Sequence, residues 1–307
     1  MISKKLMAMS LAVCGAMGSG ASANPIDPLD VDLGFIMDFS GSIGSSSYAG
    51  ARDALANAIG QIVITPEVTY NVGIVRFSSQ GANVVIPPVK LTSDAVRDQL
   101  VSDIKASSSS TTGWTCYDCG FDQLKDNFGQ LGDVSIANFF TDGANNTTRR
   151  GGTGTNTDGV GSSNSGGPGP TISQSVVDAN ALTAATALKD AGWDALGFEA
   201  VNLSVANRLK LEALGFDSQL ADVNDITAGI DPAVMGNCAA ATSDDPLTDC
   251  FVLNLPTFLD FENAIGQKVA SIVIDTGGEI DPVPLPAGLP LLLAGLGAFA
   301  FVRRKTT

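Results

Sequence analysis

Leu33-Gly34-Phe35-Ile36-Met37-Asp38-Phe39-Ser40-Gly41-Ser42 decides how this chain is read. The first five residues form an apolar run that reads as a buried strand. Asp38 and two hydroxyls follow at its C-terminal end, in a tight turn that contains a glycine. A helical stretch is expected next, from about Tyr48 to Val63. Hard oxygens in this arrangement suit a hard divalent cation. The C-terminal end of a parallel strand is also where open α/β sheets hold ligands.

Further elements follow on the C-terminal side. Tyr70 to Ser78 reads as a second strand and Ala82 to Pro87 as a third, and the short link between them favours a hairpin. Thr92 or Ser93 can cap a helix in which Val96, Leu100, Val101 and Ile104 share a face. Val134 to Phe140 is a mostly apolar strand that ends in Thr141-Asp142-Gly143. Residues 144–170 are rich in Gly, Asn, Thr and Ser, a composition that cannot bury a core, and are expected to be a flexible insertion. Val176 to Ala191 is helical in pattern and Ala195 to Val201 is a strand. Asn207 to Leu214 reads as a short helix within 205–255, a region read as an elaboration. Phe258, Phe261, Ile265, Val269 and Ile272 mark a final amphipathic helix. Strands alternating with helices imply a largely parallel sheet covered on both faces.

Composition narrows the function. The chain has 307 residues, a net charge of −15 and no histidine. Five of its 17 basic residues (Lys4, Lys5, Arg303, Arg304, Lys305) lie at the two ends. The remainder sets 12 cations against 32 acids, or −20. Such a surface repels phosphate backbones, which argues against nucleic acid as a partner. The absence of histidine removes the usual general base and every Ser-His or Cys-His nucleophile pair, so an enzyme is not expected.

Both ends carry targeting patterns. Lys4 and Lys5 precede an apolar segment, Leu6 to Met17, and Ala21-Ser22-Ala23 offers a cleavage site; residues 1–23 read as a secretory signal peptide. Val13 before Cys14 is larger than the residue a lipid-attachment site has there. Exported cysteines face an oxidising compartment, which makes Cys238 with Cys250, and Cys116 with Cys119, disulfide candidates. Cys116-x-x-Cys119 also has the spacing of a redox pair, but without a thioredoxin-like context. Leu285 to Val302 contains 18 uncharged residues, long enough as a helix to span a membrane, and Arg303-Arg304-Lys305 follows as a cytoplasmic tail (303–307). Val283-Pro284-Leu285-Pro286-Ala287 stands before it, in a linker over 276–288. Motif, span and basic end together resemble the VPLPA variant of the PEP-CTERM sorting signal of Gram-negative bacteria. The resemblance implies an exosortase as sorting partner, transient anchoring in the inner membrane, and delivery to the cell surface, outer envelope or extracellular matrix. An ordinary tail anchor is the alternative.

Two more pieces join the opening motif. Thr115 lies in Gly113-Trp114-Thr115-Cys116, before a helix containing Leu124, and Asp142 ends the strand from Val134. Asp-x-Ser-x-Ser, a loop Thr and a strand-end Asp, in that order, resemble the von Willebrand factor A domain with its metal-ion-dependent adhesion site. The resemblance spans about residues 30–275. It implies a Rossmann-like, doubly wound α/β fold with one antiparallel edge strand. It also implies that Asp38, Ser40, Ser42, Thr115 and Asp142 hold the metal, the hydroxyls directly and the carboxylates directly or through water. Two carboxylates balance a divalent charge, which leaves the ion able to accept an outside carboxylate. Few protein ligands and retained water favour Mg²⁺, with Mn²⁺ or Ca²⁺ as the alternatives. The expected function is a surface or secreted adhesion module that binds an acidic group of a protein or matrix polymer. The competing expectation is a structural matrix or biofilm protein in which the metal only stabilises the fold.

Overall fold

The computed structural model describes residues 27–79, 81–149, 161–216 and 252–281. In chain order the first half reads β1 (Leu29–Asp38), α1 (Ser45–Ile59), β2 (Ile62–Val63), β3 (Val68–Ser78), β4 (Gly81–Lys90), α2 (Asp94–Ala106), α3 (Tyr117–Asn127) and β5 (Val134–Thr141). The second half reads β6 (Thr147–Thr148), β7 (Gly161–Ser162), α4 (Gln174–Asp190), β8 (Ala195–Val201), α5 (Val205–Glu212), β9 (Val252–Leu255), α6 (Phe258–Asp275) and β10 (Glu279–Ile280).

The opening apolar run lies in the middle of the main sheet, as its composition requires. Its last eight residues are all buried, the mark of a parallel strand covered on both faces. Strand order is β4-β3-β1-β5-β8-β9. Only the β3–β4 pair is antiparallel, at one edge. From β1 the chain moves outward to β3 on one side, whereas β5 continues to β8 on the other. Such a reversal opens a crevice at the C-terminal strand ends. Met37 is in register with Phe140, so Asp38 and Asp142 leave the sheet side by side.

Alternation along β1 divides the interior in two. Val31, Leu33, Phe35 and Met37 pack with residues of α1, α2 and α6, including Leu55, Leu100, Phe261 and Ile265. Ile36 faces the other layer, with Phe77, Phe121, Phe139, Leu188, Trp193 and Phe198. Phe139 is the hub of this second core, with ring centroids of Phe77 and Phe121 each 4.9 Å away. Gly34 lets Trp193 lie against the sheet: a Cβ there would sit 2.5 Å from a Trp193 ring carbon and 2.9 Å from Leu124. Gly34→Ala is therefore expected to destabilise by about 1–3 kcal/mol through overpacking, read as a lower urea midpoint with an unchanged slope.

Ser93 caps α2, its side chain accepting from Val96 N at 3.3 Å. The first helix is displaced from its expected span. It starts at Ser45, after Gly44 at φ 73°, and stops at Ile59. Ile62 and Val63 instead form β2, paired with β10; β-branched residues ahead of Pro66 favour extended backbone over helix.

Three further expectations need correction. The ends of the 144–170 insertion are built into the protein: Asn145, Thr147, Thr148 and Ser162 are buried, and β6 pairs with β7. Hydrogen bonds, not apolar area, hold them there. The 205–255 region supplies a strand of the main sheet, β9, parallel to β8. Part of the expected linker is also structured, since β10 pairs with β2 and Thr276 is buried. Cys238, Cys250, the signal peptide, the VPLPA motif, the 285–302 segment and the basic tail lie outside the described residues. Among the described residues no helix is long and apolar enough to cross a membrane.

Candidate metal centre

Main-chain bonds stitch the turn after β1 to the end of β3 and to the loop before α3. Phe39 N donates to Phe77 O (3.0 Å), Gly41 N to Gly113 O (3.0 Å), and Thr112 N to Phe39 O (2.8 Å). Ser79 and Trp114 hold the next stretch through Ser79 N to Trp114 O (2.7 Å) and Trp114 N to Ser79 Oγ (2.8 Å). Ser40, Ser42 and Thr115 are thus presented by two loops that cannot move independently.

Their oxygens form an unbroken chain. Ser42 Oγ donates to Asp142 Oδ1 at 2.7 Å, Ser42 Oγ and Ser40 Oγ are 3.1 Å apart, and Thr115 Oγ1 donates to Ser40 Oγ at 3.3 Å. Ser40 and Thr115 are buried, whereas Ser42 is exposed and Asp142 partly so. The chain of oxygens therefore opens to solvent at its Ser42–Asp142 end.

Asp38 stands behind this group. Its Oδ1 accepts from Ser40 N (2.8 Å) and its Oδ2 from Thr141 Oγ1 (2.7 Å). Burial pushes its pKa up to about 7, against the pull of those two hydrogen bonds and with a further push from Asp142. Asp142 is also raised, chiefly by burial, while the bond from Ser42 opposes the shift. Two carboxylates held close in a partly dry site lack a counter-charge among the described residues, and a bound cation would provide it.

Several contributors escape a sequence reading. Thr141 orients Asp38. Gly143 leaves the room: a Cβ on it would lie 2.9 Å from Thr115 Oγ1 and 3.6 Å from Ser42 Oγ. Asn146 Oδ1 accepts from Thr115 N (3.0 Å), and Asn145 Oδ1 accepts from Tyr117 N (3.0 Å). Thr115 O also accepts from Thr147 N and Thr147 Oγ1. The loop that carries Asp142 thereby fixes the loop that carries Thr115.

Cys116 and Cys119 are joined by a disulfide in the first turn of α3. With Asp118 they form a tight group of potential ligands. Both sulfurs are spent in that bond, however, and Asp118 accepts from Thr148 Oγ1 (2.7 Å) and Arg149 N (3.0 Å). This cluster anchors the insertion. The donors around Ser40 are all hard oxygens, the chemistry that Mg²⁺, Mn²⁺ and Ca²⁺ share, and the space beside Gly143 adjoins them. The residues present fit such an ion.

Residues 32–153 match the family model of the von Willebrand factor type A domain. No match was found among curated proteins. Among solved structures, the chain is similar to the vWF domain of the type V pili tip protein Mfa5 from Porphyromonas gingivalis. Identity is 10%, with 82% of this chain and 98% of that one covered, at a TM-score of 0.50. It is also similar to the pilus adhesin SpaC from Lactobacillus rhamnosus GG, at 14% identity, covering 81% of this chain and 30% of that one, TM-score 0.50. Proximal thread matrix protein 1 from the mussel byssus matches at 15% identity over 79% of this chain, TM-score 0.49. The chain spans about half the length of the mussel protein and under a third of SpaC. At these identities the likeness concerns the fold alone, a mostly parallel sheet between helical layers. The chain has a fold like that of von Willebrand factor type A domains, and residues 32–153 are the part that matches that family's model.

Proposed function

We propose that this protein is an exported adhesion module that binds a carboxylate of a protein or matrix polymer through a divalent cation. Ser40, Ser42, Thr115 and Asp142 would hold the cation, and Asp38 would act from behind, directly or through water. The observation that carries this reading is the continuous run of oxygens from Asp142 to Thr115, open at one end. Two carboxylates neutralise a divalent ion, and the three hydroxyls add no charge, so the ion keeps its affinity for an outside anion. Mg²⁺ suits a site with few protein ligands and room for water. The names of two proteins of similar fold, a pili tip protein and a pilus adhesin, accord with adhesion.

The lack of histidine and of any Lys or Arg in the oxygen cluster leaves metal-activated water without a cationic or imidazole partner, which supports binding over catalysis. Export by residues 1–23 and sorting by the VPLPA motif with the 285–302 span complete the proposal, with an exosortase as the sorting enzyme and the adhesion domain over 30–275. Calorimetric titration with Mg²⁺ tests the metal. Wild type should bind one ion and Asp38→Ala should bind at least about tenfold more weakly, the loss expected when a buried anion's charge is removed from a cation site. Equal binding by both proteins would remove the reading. If chelator lowered the melting temperature but left adhesion unchanged, the metal would be structural only.

A further inference from the structure

The oxygen cluster has an acid-free flank on its β3 side. Residues 39–47, 76–84 and 107–117 are joined there by the bonds of Phe39, Gly41, Thr112 and Ser79 described above. None of these residues is acidic, in a chain with 32 acids. Arg76 stands on this flank. Its guanidinium lies 4.8 Å from the ring centroid of Phe39, the residue between Asp38 and Ser40. Its Nη1 donates to Ser108 O at 3.0 Å and its Nε to Asn83 Oδ1 at 2.9 Å. Among the described residues no carboxylate pairs with it, whereas Arg52, which holds Ser107 O, is paired with Asp53 at 2.7 Å.

Trp114 is the second feature of the flank. Ser79 pins its main chain on both sides, yet its side chain is partly exposed and belongs to neither core. A single Cα step of about 3.8 Å separates it from Thr115, whose hydroxyl is part of the oxygen cluster. An indole kept out of the core this close to the cluster offers a flat apolar face and an N–H donor to a ligand. Ser107–Thr112, six hydroxyl residues in a row, leads up to it, with Ser108, Ser110 and Thr112 exposed.

We propose that Arg76 and the Ser107–Trp114 loop form a ledge that binds an acidic polysaccharide, with a uronate unit at the cation. This rests on the metal reading above. One carboxylate reaches the ion, a neighbouring sugar ring lies on Trp114, a further carboxylate meets Arg76, and the hydroxyl row serves the sugar hydroxyls. Ser79, which fixes Trp114, is three residues beyond Arg76, about 10 Å of extended chain, a span that a short oligosaccharide crosses. Charge selects the polymer. Salt screens acids more than about 8 Å away; within the ledge the charge is that of Arg76, and the ion offsets Asp38 and Asp142. A duplex with a phosphate charge about every 1.7 Å would still press on the acids further out, whereas a polyuronate carries one charge per sugar. An acidic peptide fits less well. Its side chains are read in pockets or along strand edges, and it would leave the row of hydroxyls unused.

The test titrates the full chain with a galacturonate hexamer, a neutral galactose hexamer and a glutamate hexapeptide, each with Mg²⁺ and with chelator. The galacturonate should bind tightest, and only with Mg²⁺. It should also change the tryptophan emission, and because Trp193 is 3% exposed that change reports Trp114. Trp114→Ala should weaken galacturonate about tenfold, the scale of losing one aromatic contact. Arg76→Gln should weaken it about threefold, as for one exposed charge pair, and reduce its salt dependence. Mg²⁺ affinity should stay within about twofold in both variants, which also shows that they fold. Mg²⁺-dependent binding of galacturonate that ignores both substitutions and leaves the emission unchanged would overturn the ledge and leave the metal reading standing. Binding that survives chelator but is lost in Trp114→Ala would overturn the metal reading instead. Failure of galacturonate to bind, or tighter binding of the glutamate peptide, would overturn the choice of a polysaccharide.

Discussion

Gly143→Ala is expected to abolish measurable Mg²⁺ binding while the protein stays folded. The added methyl would stand 2.9 Å from Thr115 Oγ1 and 3.6 Å from Ser42 Oγ. It would therefore lie beside the two hydroxyls that an ion must reach. The φ of Gly143 is outside the left-handed region, so alanine meets no backbone strain there and the effect is steric and local. Nearby bonds, such as Tyr117 Oη to Gly143 O at 2.6 Å, involve main-chain atoms that the substitution keeps. A loss of affinity of about a hundredfold or more corresponds to about 2.7 kcal/mol, a modest demand for a blocked ligand position. Calorimetry and a melting curve on the same sample separate the two effects. Full Mg²⁺ affinity in Gly143→Ala would mean that the ion, if bound, does not use Thr115.

The second large effect lies away from the metal. Glu199 on β8 and Lys268 on α6 are each 1% exposed. Lys268 lowers the pKa of Glu199, but burial outweighs it and pushes the carboxyl up to about 7. Glu199 Oε1 and both side-chain polar atoms of Asn138 have no hydrogen-bond partner among the described residues. Asn138 faces Gly197 in register, and Phe140 faces Glu199, so the two polar side chains lie on one face of the sheet. Lys268→Met should leave a buried carboxylate uncompensated and cost about 3–5 kcal/mol. The pH dependence has a definite sign. A carboxyl whose folded pKa is raised above its ordinary 4.5 stabilises the fold least when ionised. Stability should fall as pH rises from about 4.5 to 7 and level off above. Without Lys268 the window extends upward, so the cost of Lys268→Met should be smaller near pH 5 than near pH 8. Denaturant curves at both pH values check this. An equal cost at both would show that Lys268 does not serve Glu199.

How much of this was legible follows from what each residue signals. Asp38, Ser40 and Ser42 stood out because an apolar run points at them. Asp142 stood out for the same reason, and the order of the pieces tied Thr115 to them. Thr141 was hidden, since a β-branched residue at a strand end reads as strand. Asn145 and Asn146 fell in a stretch set aside for its polar composition. That judgement fails where polar groups are buried by being satisfied: Thr147 Oγ1 donates to Thr115 O at 2.8 Å and Thr148 Oγ1 to Asp118 Oδ2 at 2.7 Å. β9 was missed because four residues beyond a long polar stretch carry little periodic signal, and its partner β8 lies some 50 residues earlier. Lys268 could have been found: it falls on the stripe of Ile265, Val269 and Ile272 at helical spacing, where a charge calls for a buried partner.

The proposed function depends on one ion sitting among side chains that come from three separate loops. Crystals of the protein soaked in Mn²⁺ and measured at the manganese absorption edge test this most directly. The account predicts a single strong anomalous peak bounded by Ser40, Ser42 and Thr115, with Asp142 next to it. Well-ordered crystals with no peak there, or with the peak at Asp118 instead, would contradict it.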